Sequence, residues 1–61
     1  MIKVKNIAEL LDLVDLIIVI ETRAGIPLTI YNPGTYNNKY DDEDVLELKP
    51  EANCITIVIN K

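Results

Sequence analysis

Leu16-Ile17-Ile18-Val19-Ile20 is apolar at every position. Successive side chains of a strand point to opposite faces, so Leu16, Ile18 and Ile20 line one face and Ile17 and Val19 the other. A strand apolar on both faces is normally covered on both. Only one helix is predicted elsewhere in the chain. The second face is therefore expected to be buried by another subunit.

Sixty-one residues allow a single domain, 1–61, and a domain of this size is marginal alone. Small scaffolds add disulfides, a metal or oligomerisation. Cys54 is the one cysteine, which excludes an internal disulfide, and with no histidine the usual zinc ligand set is missing. Oligomerisation is the remaining staple. The aliphatic run is far short of the roughly 20 residues that span a bilayer, so no membrane partner is expected. Glu9, Asp12 and Asp15 interrupt what would be a signal-peptide core, and no small-residue cleavage site follows. A single free thiol fits a reducing, cytoplasmic setting.

The formal net charge is −4. Residues 1–40 balance, and residues 41–61 carry six acids against two lysines. A global basic footprint of the kind a duplex-DNA binder shows is absent.

Working outward from the central run, Ile2–Lys5 alternates apolar and basic residues and predicts a short strand. Asn6 with Glu9 three residues on predicts a helix N-terminus, a variant of the capping box. Ile7, Leu10, Leu11 and Val14 follow the spacing of one helical face, and the helix of about two turns is expected to stop near Val14 or Asp15. After the central strand, Thr22-Arg23-Ala24-Gly25 is a turn. Pro27–Tyr31 is a half-exposed strand paired with it as a hairpin. Asn32–Asp44 is one long irregular segment, opened by the Asn32-Pro33-Gly34 turn signal. Val45–Lys49 is predicted as a strand with Leu46 and Leu48 inward. Pro50–Asn53 turns into the last strand, Cys54–Asn60, whose Ile55, Ile57 and Ile59 share a face. The fold class is α+β: a small β-α-β-β-β-β domain with a mainly antiparallel sheet and one short helix on one face. The uncovered face should carry Ile17, Val19, Val58 and some of the tyrosines, and these are the expected oligomer interface.

Two acidic constellations stand out. Asp41-Asp42-Glu43-Asp44 reads either as a solvated loop or, with Tyr36 and Tyr40, as a partner-binding surface that imitates phosphate. It lacks the alternate ligand spacing and turn glycine of a calcium loop. Asp12 and Asp15, three apart near the helix end, could share a face. They read either as a solvated helix end or as a magnesium-dependent phosphodiester site. Without histidine, no Cys–His or Ser–His nucleophile pair can be assembled.

Lys3-Val4-Lys5-Asn6-Ile7, then Leu10-Leu11, the Ile-rich strand and the closing strand of alternating isoleucines together resemble the layout of small phage and prophage accessory proteins. Within that group the chain looks like compact anti-CRISPR proteins from gut bacterial prophages. One such type inhibits Cas9 and has a sheet similar to the PC4-like single-stranded nucleic-acid-binding fold. The resemblance covers most of the chain and rests on pattern rather than on a diagnostic motif. It implies a phage-derived counter-defence protein acting as an oligomer in the host bacterial cytoplasm, with a CRISPR nuclease or DNA as partner. In that type an acidic residue near the helix end is suspected of aiding DNA nicking, and Asp12 or Asp15 would match. The other route is an acidic nuclease-binding surface. A non-enzymatic oligomerising or protein-interaction module of phage origin is the alternative.

Overall fold

The computed structural model describes residues 2–61. Helix α1 (Val4–Leu13) is followed by strands β1 (Ile17–Glu21), β2 (Pro27–Tyr31), β3 (Val45–Pro50) and β4 (Cys54–Ile59). The four strands form one sheet in the order β2-β1-β4-β3. Both outer pairings are antiparallel and the central β1–β4 pairing is parallel. The fold is α+β, with one short helix and a four-stranded mixed sheet.

The apolar run of β1 takes a central place because it has β-branched side chains on both faces, and β4 beside it shares that character. Their register sets Ile18 against Ile55 and Ile20 against Ile57. These four, with Ile59, Tyr31, Val4 and Ala8, make the core between sheet and helix. Burying each large aliphatic chain contributes about 1.5–3 kcal/mol.

The predicted N-terminal strand is reduced to a single bridge, Lys3 with Asp44, and the helix N-cap is Lys3, three residues before the Asn6 cap that the sequence suggested. Its end at Leu13, with Val14 as C-cap, falls where the pattern placed it. Ten residues make nearly three turns rather than about two. Asn6 lies inside the first turn, where its Oδ1 accepts the Lys3 N–H at 2.7 Å. The Asn6 N–H bonds locally to the Lys3 carbonyl at 3.0 Å, and the two helix-start amides before it find acceptors across the fold. Val4 N–H donates to the Glu43 carbonyl (3.0 Å) and Lys5 N–H to that of Asp41 (3.1 Å). This remote cap selects which of two overlapping apolar stripes is buried. Val4 and Ala8 are fully buried, with Ile7 and Leu11 packed beside them. Leu10 and Val14, expected inward, stand 66% and 59% exposed.

Leu46 and Leu48 are likewise more exposed than expected, at 44% and 43%, although the register sets Leu48 on the core face beside Ile57. Leu46 has no partner on β4, because the register shifts there from Val45–Ile59 to Glu47–Val58, and Leu48 sits on an edge strand with a neighbour on one side. Val45 packs against the core instead.

The helix-free face corrects a further expectation. Ile17 and Val19 do lie on it, half-buried, with Ile30 beside Val19. Val58, however, is only 5% exposed within the single chain. Glu21 and Glu47 flank it in register, and Lys49 Nζ reaches Glu21 Oε1 at 3.3 Å, so an ion pair spans β4. The apolar stems of these side chains lie over the strand, with Lys49 half-exposed and Glu21 only 18% exposed. Part of the second face is thus covered by the chain itself. The tyrosines are absent from it: Tyr31 is buried in the core on the helix side.

Candidate functional site

The acidic run 41–44 lies against the start of α1. The first turn of that helix carries no acid and contains Lys5, an unfavourable charge beside the positive end of the helix dipole. Residues 41–44 supply what is missing. Asp44 Oδ1 takes the Lys3 ammonium at 2.6 Å, Asp42 Oδ1 that of Lys5 at 3.3 Å, and Glu43 Oε2 that of Lys61 at 3.4 Å. Asp41 accepts the Tyr36 hydroxyl. Backbone bonds continue the seam: Val45 N–H donates to the Ile2 carbonyl and Asn60 N–H to that of Asp44. Every acid of the run has an internal partner, and two of the lysines it binds flank the helix start while the third is Lys61. The run is a clasp between helix, loop and both chain ends.

Tyr36 and Tyr40, expected to face a partner, pack partly buried against the core. Tyr36 meets Tyr31 edge-on at 5.2 Å between ring centroids, a favourable aromatic arrangement. The Tyr31 hydroxyl donates to Asn37 Oδ1 at 3.2 Å, and the Lys39 ammonium lies 5.5 Å from the Tyr40 ring centroid. These rings close the sheet beneath the long loop rather than forming an open stacking platform.

Asp12 and Asp15 do not share a helical face. Asp15 lies beyond the helix at φ +59°, in the left-handed region that Asp enters more readily than most residues. Asp12 is half-buried, and its Oδ1 accepts the Gly34 N–H at 3.1 Å. Gly34 has φ +82° and follows Pro33, the pairing a type II turn requires. Thr35 N–H closes that turn onto the Asn32 carbonyl at 3.0 Å. Asp12 therefore moors the start of the long loop to the end of α1. Among the described residues no cluster of three or more His, Cys, Asp or Glu side chains is placed to hold a metal, no cavity opens, and no helix is long and apolar enough to cross a membrane.

Two groups hold their protons more tightly than usual. Lys3 is raised above 10.5, first by its hydrogen bond to Asp44; desolvation opposes this and the charges of Asp44, Asp42 and Glu43 reinforce it. Tyr31 is raised above 10.0 by burial, then by Tyr40 and Asp41. Both favour the protonated form in the folded chain. Their contribution to stability is whole below the unfolded values and is lost as pH rises through the folded ones. Urea midpoints should therefore be unaffected by these two groups up to about pH 10 and fall above it, with Tyr31→Phe blunting the fall.

What sequence reasoning missed is the outward surface. Among the described residues nine large aliphatic side chains stand exposed: Ile2, Leu10, Leu13, Val14, Ile26, Leu28, Ile30, Leu46 and Leu48. Three of them fall within the five residues Ile26–Ile30. The signal was available, because no charged residue occurs from Ala24 to Asn38. Scanned against family models and searched against curated proteins and solved structures, the chain matches none of them.

Proposed function

We propose that the chain is a non-catalytic, self-associating interaction module, used, in the setting its resemblance implies, to counter a CRISPR–Cas9 nuclease as an oligomer. The observation that carries this reading is the division of its chemistry. The densest charges are paired within the chain in the 41–44 clasp, while nine large aliphatic side chains among the described residues face outward. Exposed apolar surface on so small a domain is the chemistry of protein contact. Phosphate mimicry by residues 41–44 draws less support, since three of these four acids already hold lysines. Magnesium-dependent nicking through Asp12 and Asp15 draws less again, since Asp12 is engaged by Gly34.

The test pairs binding with chemistry. Purified protein should co-migrate with Cas9 and protect its target, and should leave supercoiled plasmid unrelaxed in magnesium. Asp12→Asn keeps an oxygen for Gly34 and should behave as wild type. Asp12→Ala should cost about 0.5–1.5 kcal/mol of stability, the usual net worth of a hydrogen bond. A relaxed product made by wild type and abolished by Asp12→Asn would replace this reading with an enzymatic one. Failure to engage Cas9 would remove the counter-defence setting.

A further inference from the structure

The two edges of the sheet are unlike. An edge strand offers unpaired N–H and C=O groups to any passing strand, and proteins blunt such edges with charges, prolines, bulges or covering segments. Edge β3 has all four. It carries Glu47 and Lys49, ends in Pro50 and bulges at Leu46. Its start is covered by the N-terminal segment through the Lys3–Asp44 bridge and the Val45-to-Ile2 bond.

Edge β2 reads Pro27-Leu28-Thr29-Ile30-Tyr31. Pro27 only removes the first donor, and a register shift leaves Leu28 without a partner on β1. Among the described residues no charge and no covering segment protect it. Ile26, immediately before it, and Ile30 within it stand 59% and 60% exposed.

We propose that β2 is a self-association seam, at which a second copy adds its own β2 antiparallel across a two-fold axis and joins two four-stranded sheets into one. This rests on the self-association reading above and names the surface. Charge identifies the occupant. Two copies each carrying −4 repel wherever their acids meet. Residues 24–38 form the longest charge-free stretch of the chain, and β2 lies inside it. A strand paired with its own copy is self-complementary, as a two-fold interface requires. A cationic foreign peptide would gain nothing from this edge over the acidic remainder of the surface.

Light scattering after size exclusion tests the seam on the full chain. Wild type should elute as a multiple of 6.9 kDa. Ile30→Lys and Ile26→Lys, both at exposed positions, should fall to the single-chain mass with unchanged circular dichroism. Leu10→Lys, on the exposed side of α1, should keep the wild-type mass. Wild-type mass in both isoleucine variants would overturn the seam while leaving self-association standing, and dissociation by Leu10→Lys alone would move the contact to the helix. A wild type already at 6.9 kDa would overturn the seam and the reading beneath it together.

Discussion

Ile57→Ala should leave the isolated chain largely unfolded. Ile57 is fully buried on central strand β4, set between Ile20 on β1 and Leu48 on β3. Truncating such a residue costs about 2–5 kcal/mol, the lost transfer energy plus the cavity left behind. A chain of this length has roughly 3–9 kcal/mol of total stability, at about 0.05–0.15 kcal/mol per residue. The loss is comparable to the whole. Ile57→Val removes one methylene and should cost about 0.5–1.5 kcal/mol, which leaves a cooperative melt at lower temperature. Thermal melts followed by circular dichroism separate the two. An Ile57→Ala protein that melts like wild type would mean that the core lies elsewhere.

Reversing the clasp should be nearly as damaging. With Asp41, Asp42, Glu43 and Asp44 all replaced by lysine, Lys3, Lys5 and Lys61 would face like charges at the distances where they now find carboxylates. Lys5 would stand uncompensated at the positive end of the helix. The loop whose carbonyls cap Val4 and Lys5 would be driven off, and α1 with it. Loss of the helical signal in circular dichroism is the expected result. Asp42→Asn alone should change stability by less than about 1 kcal/mol, because its pair with Lys5 is solvent-exposed. If residues 41–44 instead faced a cationic partner, the fourfold variant would keep its fold and lose only the partner.

Four of the five predicted strands were legible because their signals are local, whereas the alternation over Ile2–Lys5 gives a bridge at Lys3 and the start of α1. Alternating isoleucines in β4, an apolar run in β1, and turns marked by Gly25 and by Pro33-Gly34 each fix structure within a few residues. The helix was half legible. Two apolar stripes, starting at Val4 and at Ile7, satisfy the same spacing. The choice between them depends on carbonyls of Asp41 and Glu43, more than thirty residues away in sequence. The clasp was hidden for the same reason. Four consecutive acids look solvated until the fold brings Lys3, Lys5 and Lys61 to them from opposite ends of the chain. Val58 was assigned to an open face because periodicity shows which way a side chain points. It does not show that Lys49 and Glu21 meet across β4.

The excess of apolar side chains in β1 thus has two physical answers. One is internal, in the stems of charged residues lying over β4. The other is the proposed seam at the uncharged edge beside β1, where Ile30 pairs with Val19. Sedimentation equilibrium of the wild-type chain over a micromolar concentration series tests this most directly. The account predicts a mass that is a multiple of 6.9 kDa and that declines toward one chain only on dilution. A single-chain mass across the whole series would contradict it.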